Sequence, residues 1–254
     1  MQNLKPKKYL GQHFLKDQHI ANEIVETLSA KSSDSVIEIG PGEGVLTDYL
    51  ILKYSSLKVV EIDDDSVSFL SKKYEEQNLE IIHADVLRWK MESDIGEDSF
   101  FIGNLPYNIS SPIFFKFMEH LPYIKEGVFM IQKEVADRIC ASPGNKTYGI
   151  LSVLLGAYFD LTYEFSVPPE VFRPPPRVMS GVMRMVRKET FPDVPFPLFK
   201  RVVKQAFNQR RKTMRNSLKG LKIGNFAERE EWMSLRAEQL PWESFVKLAA
   251  HTDF

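Results

Sequence analysis

The stretch Val36-Ile37-Glu38-Ile39-Gly40-Pro41-Gly42-Glu43-Gly44 constrains this chain more than any other. A short apolar run followed at once by three alternate glycines reads as a buried strand entering a tight turn. Glycine permits such a turn and lets a ligand approach the main chain with no Cβ in the way. A dinucleotide fingerprint, G-x-G-x-x-G, would need glycine where Val45 stands, and the phosphate-binding G-x-x-x-x-G-K is absent. Glu38 and Glu43 beside the loop disfavour pyrophosphate and suit a cationic ligand, such as a methionine-sulfonium nucleoside.

The loop opens an alternation of short apolar runs and amphipathic ones. Strands are expected at 36–39, 58–62, 79–83, 100–103 and 128–131, with helices at 45–53, 66–76 and 113–120. An earlier helix is capped by Asp17 and carries Ile20, Ile24, Val25 and Leu28 at helical spacing. Strand–helix alternation over about 100 residues predicts an α/β fold with a parallel sheet covered on both faces. A further helix at 148–159 and strands at 161–167 and 180–186 follow. The proline-rich run from Val167 to Pro176 must be a stiff loop, because proline lacks the amide donor a helix interior needs. Pro192, Pro195 and Pro197 mark a linker, and beyond it the pattern is helical. The expected division is therefore 1–188 and 189–254.

Composition excludes several classes. At 254 residues, 43% hydrophobic and 26% charged, the chain is an ordinary globular one with a core that needs no staple. The single cysteine, Cys140, is expected to be a small buried residue and allows neither an internal disulfide nor a cysteine zinc site, so no metal is expected. No apolar run reaches about 18 residues and the first residues lack a secretory apolar segment, so a cytoplasmic protein without a membrane partner is expected. The net charge of −1 hides a strong separation along the chain. Between Val194 and Ala227 stand Lys200, Arg201, Lys204, Arg210, Arg211, Lys212, Arg215, Lys219 and Lys222 with no acid among them. Like charges held this close repel, and a polyanion is the usual partner.

Two acids extend the reading of the loop. Glu61 ends the second strand about 20 residues further on, where a ribose hydroxyl pair is received in nucleotide-binding sheets. Asp85 ends the third, placed to accept from an adenine amino group. The fourth strand ends in Gly103-Asn104-Leu105-Pro106-Tyr107-Asn108-Ile109-Ser110. That segment resembles the Asn/Asp-Pro-Pro-Tyr type tetrad of methyltransferases acting on exocyclic amines. An aromatic amine is a poor nucleophile because its lone pair is delocalised. Acceptors on both its hydrogens, the Asn104 side-chain oxygen and the Leu105 carbonyl, free that lone pair, so positioning replaces a strong base. Pro106 fixes the carbonyl's direction and Tyr107 stacks on the base.

With these motifs in place the chain resembles the KsgA/RsmA ribosomal RNA adenine dimethyltransferases, relatives of the Erm resistance methylases. The resemblance covers essentially the whole chain. It rests on Gly11-Gln12-His13-Phe14-Leu15, the loop Glu38–Gly44 with Val45-Leu46-Thr47, and Asn104–Tyr107 followed by Asn108-Ile109-Ser110-Ser111-Pro112. It rests also on the segment Val171–Ser180 around Phe172 and the basic run Gln205–Leu218, the last of which favours the KsgA branch. It implies a Rossmann-like class I methyltransferase domain with a small helical C-terminal domain that binds RNA. The activity implied is transfer of methyl groups from S-adenosylmethionine, leaving S-adenosylhomocysteine, to N6 of two adjacent adenosines near the 3′ end of small-subunit rRNA. The implied partner is the immature 30S subunit, and nothing requires more than a monomer. Carried over by motif position, cofactor contacts fall on Gln12, His13, Leu15, Gly40, Gly42, Glu61, Asp85 and Asn104. The catalytic set falls on Asn104, Leu105, Pro106 and Tyr107, with Phe172 as a second ring against the target base; RNA contacts fall on Arg210, Arg211, Lys212 and Arg215. His13 departs from the family's usual asparagine.

Two other readings remain at this stage: an Erm-like enzyme of the large subunit, and an assembly factor that acts mainly by occupying the subunit. A DNA adenine methylase fits less well, because the match extends into the RNA-associated C-terminal motif. Removing charge at Arg210, Arg211 and Lys212 should weaken RNA binding, flatten its salt dependence and leave cofactor affinity intact, as filter binding across a salt series will read.

Overall fold

The computed structural model describes residues 4–252. The short strand β1 (Phe14–Leu15) precedes α1 (Gln18–Thr27), whose first amides, His19 and Ile20, donate to the Asp17 carboxylate at 2.9 and 3.1 Å. Strand and helix then alternate as β2 (Ser35–Ile39), α2 (Thr47–Lys53), β3 (Ser56–Glu61), α3 (Asp64–Lys73), β4 (Leu79–His83) and the single turn α4 (Met91–Asp94). The series continues through β5 (Ser99–Asn104), α5 (Ser110–Glu119), β6 (Ile124–Gln132), α6 (Lys133–Ile139) and α7 (Ile150–Tyr158). Three strands follow, β7 (Phe159–Val167), β8 (Phe172–Arg173) and β9 (Ser180–Arg187). Helices α8 (Phe196–Phe207), α9 (Met214–Ser217), α10 (Arg229–Ser234) and α11 (Trp242–Ala250) complete the order.

Seven strands form one sheet in the order β4-β3-β2-β5-β6-β9-β7. The first five are mutually parallel and β9 runs antiparallel to β6. Strand β2 pairs with β3 on one side and β5 on the other, so the winding reverses direction between β2 and β5. Crevices for ligands form outside the carboxyl ends of the strands at such a switch point. The central strands are buried on both faces, which is why Val36, Ile37, Phe101, Ile102, Val128 and Phe129 are apolar in unbroken runs.

The expected strands and long helices all form, and the differences have local causes. Strand β6 begins at Ile124, four residues before the apolar run at 128–131, because Glu126 is neutralised inside the sheet. Helix α3 starts at Asp64 once the Asp63 side chain accepts from the Asp65 amide. The proline-rich run is not pure loop: Pro169–Val171 makes one helical turn, and β8 pairs antiparallel with β1, Phe14 facing Arg173 and Leu15 facing Phe172. Cys140 is half-buried rather than buried.

The chain falls into two compact units, one running through Ala136 and resuming over Thr162–Arg187, the other made of Asp137–Leu161 and everything from Lys188. A single cut at Lys188 therefore leaves out Asp137–Leu161, which packs with the helical unit because α7 is apolar all round and needs covering on every side. In that unit Tyr158 lies against Phe196 and Phe199, and the rings of Phe207 and Phe245 stack at 5.7 Å. No helix among the described residues is long and apolar enough to cross a membrane.

Glu126 shows how tightly the first unit specifies its register. Its carboxylate is 1% exposed and accepts from the Ser29 amide and hydroxyl and from Arg184 Nε on β9, the last at 2.9 Å. Arg184→Ala leaves that charge buried beside only a serine. Because the arginine is itself partly hydrated, the expected loss is about 2–3 kcal/mol of unfolding free energy, measured by urea denaturation.

Candidate active site

Strands β2 and β5 approach so closely at their carboxyl ends that a Cβ on Gly103 would lie 2.5 Å from the Ile39 carbonyl oxygen. Beyond that point they diverge, and the two loops they feed stand side by side around a cavity of about 240 Å³. Gly40, at φ +67°, turns the chain out of β2 while its amide donates to the Val60 carbonyl at 2.9 Å. Gly42, at φ +56°, brings its amide to Glu61 Oε2 at 3.2 Å, and a Cβ there would strike the Phe14 ring at 2.8 Å. No other residue type fits that position without displacing β1.

The walls of the cavity carry Glu61 and Asp85 and no lysine or arginine. Such a donor set suits a nucleoside with a positive centre and opposes phosphate. Glu61 is 5% exposed; burial pushes its carboxyl upward, while the amides of Asp63, Gly42 and Ile62 pull it back toward the ionised form. Asp85 Oδ1 accepts from the Leu87 amide at 2.9 Å, which fixes the carboxylate at the end of β4. Ile62 and Leu87, both exposed, add apolar surface suited to the faces of a purine. The residues present therefore fit an adenosyl sulfonium.

The second loop is equally ordered. Asn104 Nδ2 donates to the His13 carbonyl at 2.9 Å, so the amide nitrogen is committed and Oδ1 is the end left to accept. The Leu105 amide donates to the Met130 carbonyl at 3.0 Å, which fixes the peptide at the β5 terminus. The Tyr107 hydroxyl bonds Ser180 Oγ at 2.6 Å, and its ring stacks on His13 with centroids 5.6 Å apart. Burial keeps the Tyr107 phenol above its ordinary pKa, so it stays in the neutral form.

A segment from Leu4 to His13 covers this edge. The Leu4 amide donates to Glu43 Oε1 at 2.7 Å, and Arg173 holds the same carboxylate at 2.6 Å. Lys7 pairs with Asp63 and Asp65, and Gln12 donates to Asp63 Oδ2 at 2.9 Å while accepting from the Lys7 amide. Burial pushes the Asp63 carboxyl up, but these donors outweigh it and hold the group below its usual range. The anchors lie along one strap: Lys7 over the end of β3, and Gly11 with its Cβ direction 2.8 Å from Asn108 Oδ1.

Of the residues expected from sequence, Gln12, His13, Gly40, Gly42, Glu61, Asp85, Asn104, Leu105, Pro106 and Tyr107 line the one cavity. Leu15 and Phe172 do not. They are 4% and 1% exposed, face each other across β1 and β8, and belong to the core with Leu28, Val167 and Val182. The two-residue ladder turns both side chains inward, away from the cavity lining. Tyr9, Ile62, Leu87 and Asn108 also line the cavity, and Ser180 orients Tyr107; none was expected. For Tyr9 the available signal was an aromatic residue alone among lysines. In the helical unit the four basic residues divide. The Arg210 guanidinium donates at 2.8 Å to the carbonyls of Lys146 and Tyr148, and Arg215 pairs with Glu230 at 2.7 Å. Arg211 and Lys212 are exposed, so they are the cleaner probes of a polyanion contact.

Comparison with known proteins agrees with this geometry. The family model described as ribosomal RNA adenine dimethylase matches residues 3–250. A protein of Flavobacterium johnsoniae named ribosomal RNA small subunit methyltransferase A is 49% identical over 98% of this chain and 96% of its own length. One of the same name from Bacteroides thetaiotaomicron is 47% identical over 98% and 94%. Among solved structures, a dimethyladenosine transferase from Plasmodium falciparum superposes with a TM-score of 0.83 at 27% identity, covering 95% of this chain and all of the other. The 23S rRNA methyltransferase ErmE gives 0.72 at 25% identity, covering 93% and 99%.

Glu38 lies directly under the glycine loop, 1% exposed, with Thr47 Oγ1 donating to it at 2.5 Å. Burial pushes its pKa up to about 8. Between the unfolded value near 4.5 and about pH 8 the unfolded chain has released a proton that the folded chain keeps, so stability falls as pH rises through that window and levels above it. Glu38→Gln should flatten this slope, as urea midpoints taken from pH 5 to pH 9 will show.

Proposed function

The chain belongs to the ribosomal RNA adenine dimethylase family, and from that premise we propose that it places two methyl groups on N6 of each of two adjacent adenosines near the 3′ end of small-subunit rRNA. Its methyl donor is S-adenosylmethionine, whose sulfonium methyl is the electrophile the reaction needs. The observation that supports the reading most is the side-by-side placement of Gly40 and Asn104: a Cβ on Gly40 would stand 4.0 Å from the Asn104 carbonyl oxygen. Donor loop and acceptor loop thus share one rim of the sheet.

The chain's own residues have separate tasks. Glu61 receives the ribose hydroxyls and Asp85 the adenine amino group of the donor. Asn104 Oδ1 and the Leu105 carbonyl accept the two hydrogens of the target amine, aligning its lone pair with the methyl carbon. Tyr107 supplies a face for the extruded adenine, held in place by Ser180. With S-adenosylmethionine bound, the sulfonium would supply the methyl and leave as the thioether, and the proton shed by the amine would pass to solvent. With positioning and electrostatics carrying the step, a neutral Tyr107 is the state required.

Relatives at 45–49% identity named for the small subunit favour that substrate over the large one. We place the exposed Arg211 and Lys212 against its phosphates, with an immature 30S subunit as the physiological partner and the monomer as the acting form in the cytoplasm. Asn104→Ala is the deciding variant. Methylation of small-subunit particles lacking the modification, followed with tritiated S-adenosylmethionine and mass mapping, should fall by about 100- to 1,000-fold, with particle binding retained. Undiminished dimethyladenosine from this variant would end the assignment; a modified base in the large subunit would redirect the substrate.

A further inference from the structure

We propose that Tyr9 is a stacking platform for an unpaired RNA base at the mouth of the cavity. The proposal rests on the reading of the protein as an rRNA methyltransferase and adds a substrate-contacting residue to it. Tyr9 is 76% exposed, the most exposed aromatic ring among the described residues, yet it is also part of the cavity lining. Its ring packs against none of the paired aromatic side chains, so it contributes nothing evident to the core.

The backbone beneath the ring is nevertheless rigid. Tyr9 sits at the centre of a single helical turn, Lys8–Leu10, closed by Gly11 at φ +66°, whose amide donates to the Lys8 carbonyl at 3.1 Å. On one side Lys7 is tied to Asp63 and Asp65; on the other Gly11 abuts Asn108 and Pro106. Every anchor of the strap comes from Tyr9's neighbours and none from its own side chain. The ring is held out without being used, which is the arrangement of a preorganised binding group.

The surroundings select RNA rather than the donor nucleoside. Ile62 and Leu87 already flank the acids that receive the nucleoside, and Glu61 is nearly sealed from solvent, whereas Tyr9 is among the most open residues of the lining. Lys5, Lys8 and Lys16, all exposed, stand near it in the chain. An aromatic face with exposed cations close by in the chain is a combination suited to single-stranded nucleic acid, with stacking for the base and charge for the backbone. Tyr107 holds its other face against His13 at 5.6 Å, too close for a base to enter between them. A ring at the rim is the available partner for a base leaving its stack.

The test uses the full chain and small-subunit particles that lack the modification. Wild type must first methylate them, a step whose failure bears on the activity and not on Tyr9. Tyr9→Ala should then weaken particle binding and raise the KM for particles by about 5- to 100-fold, with kcat and S-adenosylhomocysteine affinity near wild type. Tyr9→Phe, which keeps the ring, should restore binding to within about twofold. A hairpin of the rRNA 3′ end carrying 2-aminopurine should lose fluorescence quenching with Tyr9→Ala and keep it with Tyr9→Phe. Particle affinity unchanged in Tyr9→Ala overturns the proposal. So does a loss confined to S-adenosylhomocysteine, which would make the ring a cover for the donor.

Discussion

The contact between Ile39 and Gly103 is the constraint on which the site depends. Two parallel strands run so close there that no side chain can stand between them, and one residue later each chain must leave the sheet. The loop after β2 has positive φ at Gly40, Gly42 and Gly44 and turns tightly over the strand end. The loop after β5 begins with Asn104 and runs past the same edge. Proximity of donor and acceptor is thus a property of strand register, fixed before any ligand arrives. A Cβ at Gly103 would separate the strands and widen the gap across which a methyl group must move, and effective molarity falls steeply with such misplacement.

Electrostatics divides the molecule in a complementary way. The cavity lining carries Glu61 and Asp85 and no lysine or arginine, while the acid-free basic run from Lys200 to Lys222 lies in the helical unit. On the function proposed above, a cationic cofactor and a polyanionic substrate are received by stretches of opposite sign. Within the basic block the charges are not equivalent. Arg210 holds backbone carbonyls of the 146–148 segment and Arg215 is matched by Glu230, so part of a positive cluster maintains its own fold. Net charge of −1 concealed all of this because it averages over both surfaces.

Much of the first unit was legible in its sequence because its strands are buried on both faces and its helices are amphipathic, so burial is written as periodicity. The glycine loop, the acids at 61 and 85 and the segment at 104–107 fall on one edge because parallel strands point their ends the same way. The placement of the Phe172 side chain was not legible, for a reason of the same physical kind. A motif gives a position in the chain, but a two-residue ladder with β1 decides which way the side chain turns, and it turns into the core. Glu126 broke the apolar pattern of β6 because its partners, Ser29 and Arg184, are 97 and 58 residues away. Asp137–Leu161 joins the helical unit through packing that no local pattern encodes.

The strap joins the two halves of the proposed reaction. His13 presents its carbonyl to the Asn104 amide nitrogen and its ring to Tyr107, while one residue earlier Gln12 is fastened to Asp63 beside the donor's acids. Orientation of the acceptor oxygen is therefore borrowed from a segment that is itself anchored at the cofactor end. If Asn104 were free to rotate, its nitrogen and oxygen would be interchangeable and half of its orientations would present donors to a substrate that needs an acceptor. The main-chain oxygen of His13 removes that ambiguity. Because the oxygen belongs to the backbone, any residue at position 13 can supply it, so the acceptor geometry does not depend on the histidine side chain, whose ring instead stacks on Tyr107.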